Sequence, residues 1–141
     1  MTSACEAMAQ VAETIAAEHP EWSGDEFLVE LGSRVANIGR GRWAVIGLLL
    51  GGRSRIRGGG FRAELRDHSA GQSRHFAGIA RAVTLLGANR TRWISVHLRR
   101  DAPGSPDGRL TDLAIEFATG MLDGSLPIGR AGDWIRVHVC D

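Results

Sequence analysis

Arginine is crowded into the middle of this chain, and the crowding limits how the ends can fold. Residues 34–100 hold fourteen arginines against two carboxylates, Glu64 and Asp67, a net charge of +12. Residues 1–33 carry seven acids and no base, and residues 101–141 carry seven acids and three arginines, so the flanks stand at −7 and −4. Blocks of one sign repel themselves unless they are answered. The acidic ends are therefore expected to pack across the basic middle. The formal total of +1 hides this separation.

The chain has 141 residues, 43% hydrophobic and 23% charged, which fits one soluble globular domain spanning 1–141 with a core of its own. It contains no lysine, so every basic group is a planar guanidinium able to pair two-pronged with carboxylate or phosphate. The N-terminal residues lack the basic start and apolar run of a secretory signal. The longest apolar run, 43–50, is too short to span a bilayer, which takes about 20 residues. The resulting expectation is a cytoplasmic protein without membrane contact, with export by a specialised route left open. Cys5 and Cys140 form no disulfide framework, and the favoured reading is two buried thiols.

The periodicity is mainly helical. Ser3 with Glu6 and Ser23 with Glu26 have capping-box spacing, and each opens an amphipathic stripe. The first stripe runs Ala4, Met8, Val11, Ile15 and stops at Pro20. The second runs Phe27, Leu28, Leu31, Val35, Ile38, with Gly39 as its expected stop. Residues 43–50 read as a buried core segment. Residues 51–60, with five glycines and three arginines, read as a mobile loop. Phe76, Ile79, Ala80, Val83 and Leu86 mark a further helix, preceded by a break at Ser69, Ala70 and Gly71. Leu110, Leu113, Ala114, Phe117 and Met121 mark another, with Asp107 as its expected cap. The C-terminal segment reads as a short helix capped by Asp133. The expected fold is mainly α, five or six helices built around 43–50 and 73–87. The alternative is α+β, with short strands near 92–98 and 134–139, because Ile94, Val96 and Leu98 alternate with Trp93, Ser95 and His97.

Residues 61–76 concentrate the chemistry. On one helix, Glu64, Asp67, His68 and His75 would share a face beside the apolar stripe. A carboxyl beside apolar groups rises in pKa and can act as an acid, while one near arginine stays ionised. Two such carboxylates are the tools of glycoside hydrolysis. The candidate catalytic residues are thus Glu64, Asp67 and His75, with Gln72, Arg74 and His68 binding substrate. Acids three apart on one helix sit close together, so a second acid such as Asp112 or Glu116 is a further candidate. His68 and His75 with Asp67 or Glu64 match no strong metal-ligand spacing, so neither a metal nor a cofactor is expected. Ser69 and Ser73 lack a nucleophile-elbow motif and read as caps and turns.

The leading functional reading is a hydrolase, most concretely of glycans. Two alternatives stand beside it. One is a non-enzymatic interaction domain, with a protein partner or a second copy and a structural polar network. The other is a nucleic-acid or polyanion binder working through Arg53, Arg55 and Arg57.

Overall fold

The computed structural model describes residues 2–41, 43, 55–67 and 69–141. Among these residues the chain forms six α-helices: α1 Ala4–Glu18, α2 Gly24–Ala36, α3 Gln72–Leu86, α4 Ala88–His97, α5 Pro106–Asp123 and α6 Ala131–His138. Short 3-10 turns occupy Ala63–Leu65 and Ile128–Arg130. The mainly helical reading holds. The described residues contain no strand, only an isolated antiparallel bridge between Phe61 and Cys140.

Helix α3 lies at the centre, flanked by α2 and α5, with α4 across α3 and α5. Helices α1 and α6 pack on each other at one side. The stripes read from the sequence supply the core: Met8 and Ile15 from α1, Phe27, Leu28, Leu31 and Val35 from α2, Phe76 and Ile79 from α3, Phe117 from α5. The Phe76 and Phe117 rings sit 5.3 Å apart and tilted, a favoured aromatic geometry. Each buried phenyl ring contributes about 2–3 kcal/mol of transfer free energy. Helix α2 approaches α5 so closely that a Cβ on Gly24 would collide with the backbone of Met121.

The caps sort into those that formed as read and those that moved. Ser23 and Glu26 make a complete capping box. Ser3 Oγ accepts from Glu6 N at 3.1 Å, but the Glu6 carboxylate turns to Arg136 instead of closing the box. Helix α2 stops at Asn37, which adopts the left-handed conformation (φ 56°), ahead of Gly39. Helix α5 is capped by Ser105 with Pro106 in its first turn. Asp107 therefore sits inside the helix and is free for another role. The cap position of α6 is Arg130, and Asp133 lies in the first turn.

The segment 92–98, offered as a strand under the α+β alternative, is the C-terminal part of α4. Its buried positions are Thr91 and Ser95, four apart on one helical face, and the apolar residues that alternate are half-buried or exposed. Trp43 is 74% exposed and not part of the core. The rest of the 43–50 segment, with Arg53, lies outside the described residues.

The two ends of the chain meet at one seam, and Cys5 and Cys140 are joined there in a disulfide. This corrects the expectation of two thiols: helices α1 and α6, 135 residues apart in sequence, are held side by side. The glycine-rich segment threads between the two ends and is anchored there, not a mobile loop over its described part. Cys5 N donates to Gly59 O at 3.2 Å, Asp141 N to Gly60 O at 2.8 Å, and Arg62 N to Val139 O at 3.0 Å. Gly60 has φ 89°, and a Cβ there would overlap the Ser3 side chain, so glycine is required on both counts.

The charge blocks are answered largely as their separation demands. Arg34 binds Glu18 at 3.1 Å and Glu30 at 2.9 Å, and Arg40 also binds Glu30. The α1 acids Glu6 and Glu13 are met from the C-terminal third, by Arg136 at 2.8 and 2.6 Å.

Candidate functional site

Helices α3 and α5 begin next to each other, and their first turns bring together the polar groups of the site. Asp67 lies just before α3. Its Oδ1 accepts from Ser69 N at 2.9 Å, Ser69 Oγ at 2.6 Å and Gln72 Nε2 at 3.1 Å. Asp107, in the first turn of α5, has its carboxyl within interaction range of Asp67, near enough for the two to share a proton. Both carboxyls are half-buried and reach solvent. Burial raises the Asp107 carboxyl, and its interaction with Asp67 together with the charges of Asp67 and Asp101 takes it to about 6, against a smaller opposing effect of Arg99. Burial also acts to raise Asp67, but its interactions with Asp107 and Ser69 outweigh this and hold it below the usual carboxylate range. Two carboxylates in contact cannot both ionise freely. Below about pH 6 the pair holds one proton, with Asp107 as its donor and Asp67 as the ionised acceptor.

Behind the pair, a closed ring of hydrogen bonds locks α3, α4 and α5. His75 is 6% exposed. Its Nδ1 lies 2.8 Å from Arg99 Nη2 and its Nε2 lies 2.8 Å from Thr111 Oγ1. Arginine can only donate, so Nδ1 accepts and Nε2–H donates to Thr111. Ser95 Oγ gives its proton to Asp101 Oδ2 at 2.6 Å, which leaves Thr111 to donate across its 3.1 Å contact with Ser95. Arg99 Nε donates to Asp101 Oδ2 at 3.1 Å and completes the circuit. Each hydroxyl proton and the imidazole N–H of the ring has an acceptor. Burial, with the nearby charges of Arg99 and Arg74 against those of Asp101 and Asp67, lowers the His75 imidazole to about 4, so it is neutral at pH 7.

Two of the three candidate catalytic residues, Asp67 and His75, meet here, as do Gln72 and Arg74. Burial and the charge of Arg99 lower the Arg74 guanidinium, and Asp107 opposes them, so Arg74 lies within the field of both. His68 lies outside the described residues. Glu64 stands apart: it is exposed on the 3-10 turn and pairs with Arg62 at 4.0 Å. The break before α3 separates it from the face that a continuous helix would have given it. His75 is also corrected in role. Both ring nitrogens are engaged inside the ring, so it positions Arg99 and Thr111 and does not exchange protons with a ligand. Asp112 and Glu116, the other acids considered, are exposed on α5, and Asp112 pairs with Arg92 at 3.5 Å.

The groups missed in the sequence are Ser95, Arg99, Asp101, Asp107 and Thr111. One signal was available: Asp107 and Thr111 are four apart, and Ser105-Pro106 is a stronger helix start than Asp107. The Oε1 atom of the buried Gln72 has no hydrogen-bond partner, which leaves an acceptor open beside the pair. Among the described residues, no three His, Cys, Asp or Glu side chains converge to hold a metal ion. No family model, curated protein or solved structure matches this chain.

Proposed function

We propose that this chain is a hydrolase whose acid and base are Asp107 and Asp67. The reading is carried by two half-buried carboxyls brought into interaction range at the starts of α3 and α5, which pushes Asp107 up to about 6 and holds Asp67 below the ordinary range. Such separation divides acid and base roles between like groups. The ionised Asp67 draws a proton from water as its oxygen bonds to a carbonyl carbon. Asp107 hands its proton to the carbonyl oxygen, giving a neutral tetrahedral diol. As the diol collapses, one of its hydroxyls returns a proton to Asp107 and the leaving group departs with the proton held by Asp67, which restores both carboxyls. Gln72 orients Asp67, and Arg74 lies where a substrate oxygen would gain from positive charge.

The substrate class follows from the contact between the carboxyls. Glycoside hydrolysis needs two carboxylates about 5–9.5 Å apart, across the bond being cut. Two carboxyls near enough to share a proton do not span that bond, so the proposal moves from glycans to esters or amides. The Cys5–Cys140 disulfide supports a place of work in an oxidising compartment over the cytoplasm. Among the described residues no helix is long and apolar enough to cross a membrane.

The test is turnover of a panel of aryl esters, peptides and bacterial cell-wall glycan by the wild type, Asp67→Asn and Asp107→Asn. The expected result is ester or amide cleavage that falls as pH rises through about 6, because Asp107 then loses the proton it must give. Either variant should lose at least about 100-fold, as general acid–base catalysis contributes on that scale. Wild-type rates no better than buffer across the panel would remove the reading. Glycan cleavage that survives Asp107→Asn and is lost in Glu64→Gln would return the chemistry to the pair read from the sequence.

A further inference from the structure

The stretch of chain that carries Asp67 is tied on both sides to the terminal seam. On the near side, Phe61 makes its antiparallel bridge to Cys140, and Arg62 N donates to Val139 O at 3.0 Å. Arg66 then reaches back: its Nε donates to Phe61 O at 3.0 Å, and its Nη2 to Asp141 Oδ2 at 2.9 Å, next to Cys140 in sequence. On the far side, Gly58 N donates to Ala70 O at 3.2 Å, and Ser73 Oγ donates to Ile56 O. Gly59 O in turn accepts from Cys5 N at 3.2 Å, and Gly60 O from Asp141 N at 2.8 Å. Arg66 is thus held to the neighbour of one half-cystine, and Ala70 is held through Gly58 and Gly59 to the other. Asp67 lies between these two ties. Cys5 is fully buried and Cys140 half-buried, so Cys140 is the more open of the two to a small thiol or disulfide.

We propose that the Cys5–Cys140 disulfide is a redox switch for the Asp67–Asp107 site: oxidation fastens the stretch carrying Asp67 in place, and reduction releases it from Asp107. The inference rests on that pair being the functional site. The oxidant is a low-molecular-weight disulfide. The Cys140 thiolate attacks one of its sulfurs and expels a thiolate; the Cys5 thiolate then attacks Cys140 Sγ, closes the bond and expels the second. Two protons and two electrons pass from the cysteine thiols to the oxidant, which leaves as two thiols, and a dithiol reductant runs the exchange backwards. The rest of the seam does not need the bond. Ala131 and Ile135 are fully buried, Gly132 lies so close to α1 that a Cβ would overlap the Glu13 side chain, and Arg136 binds Glu6 and Glu13. These contacts all precede Val139, so α6 stays on α1 while the Phe61 bridge, the bond to Gly60 O and the Arg66 pairing lose their anchor. A chain kept reduced where it is made carries an unassembled site until it meets oxidising conditions.

The test follows backbone amide shifts and the side-chain carboxyl titrations of Asp67 and Asp107 in the full chain. The samples are the oxidised wild type, the wild type reduced with a phosphine, and Cys5→Ser with Cys140→Ser, which is open without reductant. Turnover of an aryl ester is measured on each. In both open forms the fold is expected to persist by circular dichroism, and the amides of Gly58, Arg62, Ala70 and Asp141 to shift. The two midpoints are expected to move toward each other, Asp107 down from about 6 and Asp67 up from below the ordinary range. Ester turnover is expected to fall about tenfold or more, since small misplacements of a catalytic group cost on that scale or above, and to return when the reduced wild type is reoxidised with a small disulfide. Midpoints that converge with no ester turnover in any sample would sustain the switch and remove the hydrolase reading. The switch is overturned if the open forms unfold, if their midpoints match those of the oxidised protein, or if the amide shifts stop at the residues beside Cys5 and Cys140.

Discussion

At the terminal seam, two distant stretches of chain are joined by a disulfide, a run of backbone hydrogen bonds through Gly59–Arg62 and buried apolar side chains. At the junction of α3, α4 and α5, distant stretches are joined by ionisable and hydroxyl groups: Asp67 with Asp107, and the ring of His75, Thr111, Ser95, Asp101 and Arg99. The seam would hold equally well at any moderate pH. The polar junction depends on where each proton sits. Burying charged groups is costly, and apolar packing of the same volume is often as stable or more so. A junction built this way therefore asks for a reason beyond cohesion, and half-buried carboxylates open to solvent supply one. The contrast also shows where each kind of interaction is affordable: the buried hydroxyls and imidazole of the ring are matched, and the perturbed carboxyls lie at its wet edge.

Breaking the seam should have the largest effect. Closing a loop of this length accounts for about 5 kcal/mol in the chain-entropy view, so Cys5→Ser should shift the urea midpoint of unfolding far down, as should reduction of the wild type. Equal midpoints with and without reductant would show that the bond contributes nothing. Next comes Asp101→Ala, which leaves Arg99 and Ser95 without their buried acceptor. Removing one partner of a buried ion pair costs about 3–5 kcal/mol, and here Arg99 reaches solvent, so about 3 kcal/mol is expected in the same assay. A loss under 1 kcal/mol would mean that the ring is not a unit.

Acidification sharpens the comparison. His75 has a folded pKa near 4 against an ordinary 6.5, so the unfolded chain binds more protons between those values. Its contribution to stability is complete above pH 6.5 and is lost as pH falls toward 4, about 3 kcal/mol in all. Asp107 runs the other way: its folded pKa is raised, so its contribution is present below the ordinary value and lost as pH rises through about 6. The melting temperature of His75→Gln should be lower than that of the wild type at pH 7 and should change less between pH 7 and 4. A parallel pH dependence in the two proteins would contradict the assignment. The smallest effect belongs to the surface. Arg136→Ala removes two ion pairs between α1 and α6 and one within α6, yet the groups are solvated, so about 1 kcal/mol or less is expected, shrinking in high salt.

Much of the fold was legible because its signals were local. The Ser23–Glu26 box, the stripe of α2 and the stripe of α3 each report a helix and its buried face. Helix α4 was obscured because its buried side carries Thr91 and Ser95, so hydrophobic periodicity marked the wrong positions. The seam was hidden because two cysteines at opposite ends state no pairing. For the site, residues 61–76 pointed to Asp67, Gln72, Arg74 and His75, yet a cluster reads only its own half. The acid that meets Asp67 comes from 40 residues further on, and it was assigned to a cap that Ser105 performs. Glu64 looked like the partner because sequence proximity stands in for spatial proximity only along an unbroken helix.

The account rests on one proton shared by Asp67 and Asp107. Carbon-13 NMR of the side-chain carboxyls, followed from pH 2 to pH 9, reads it directly. The prediction is a midpoint near 6 for Asp107 and one below the ordinary aspartate value for Asp67, with each resonance sensing the other's titration. Two independent midpoints at the ordinary value would show two solvated surface acids and would contradict the account.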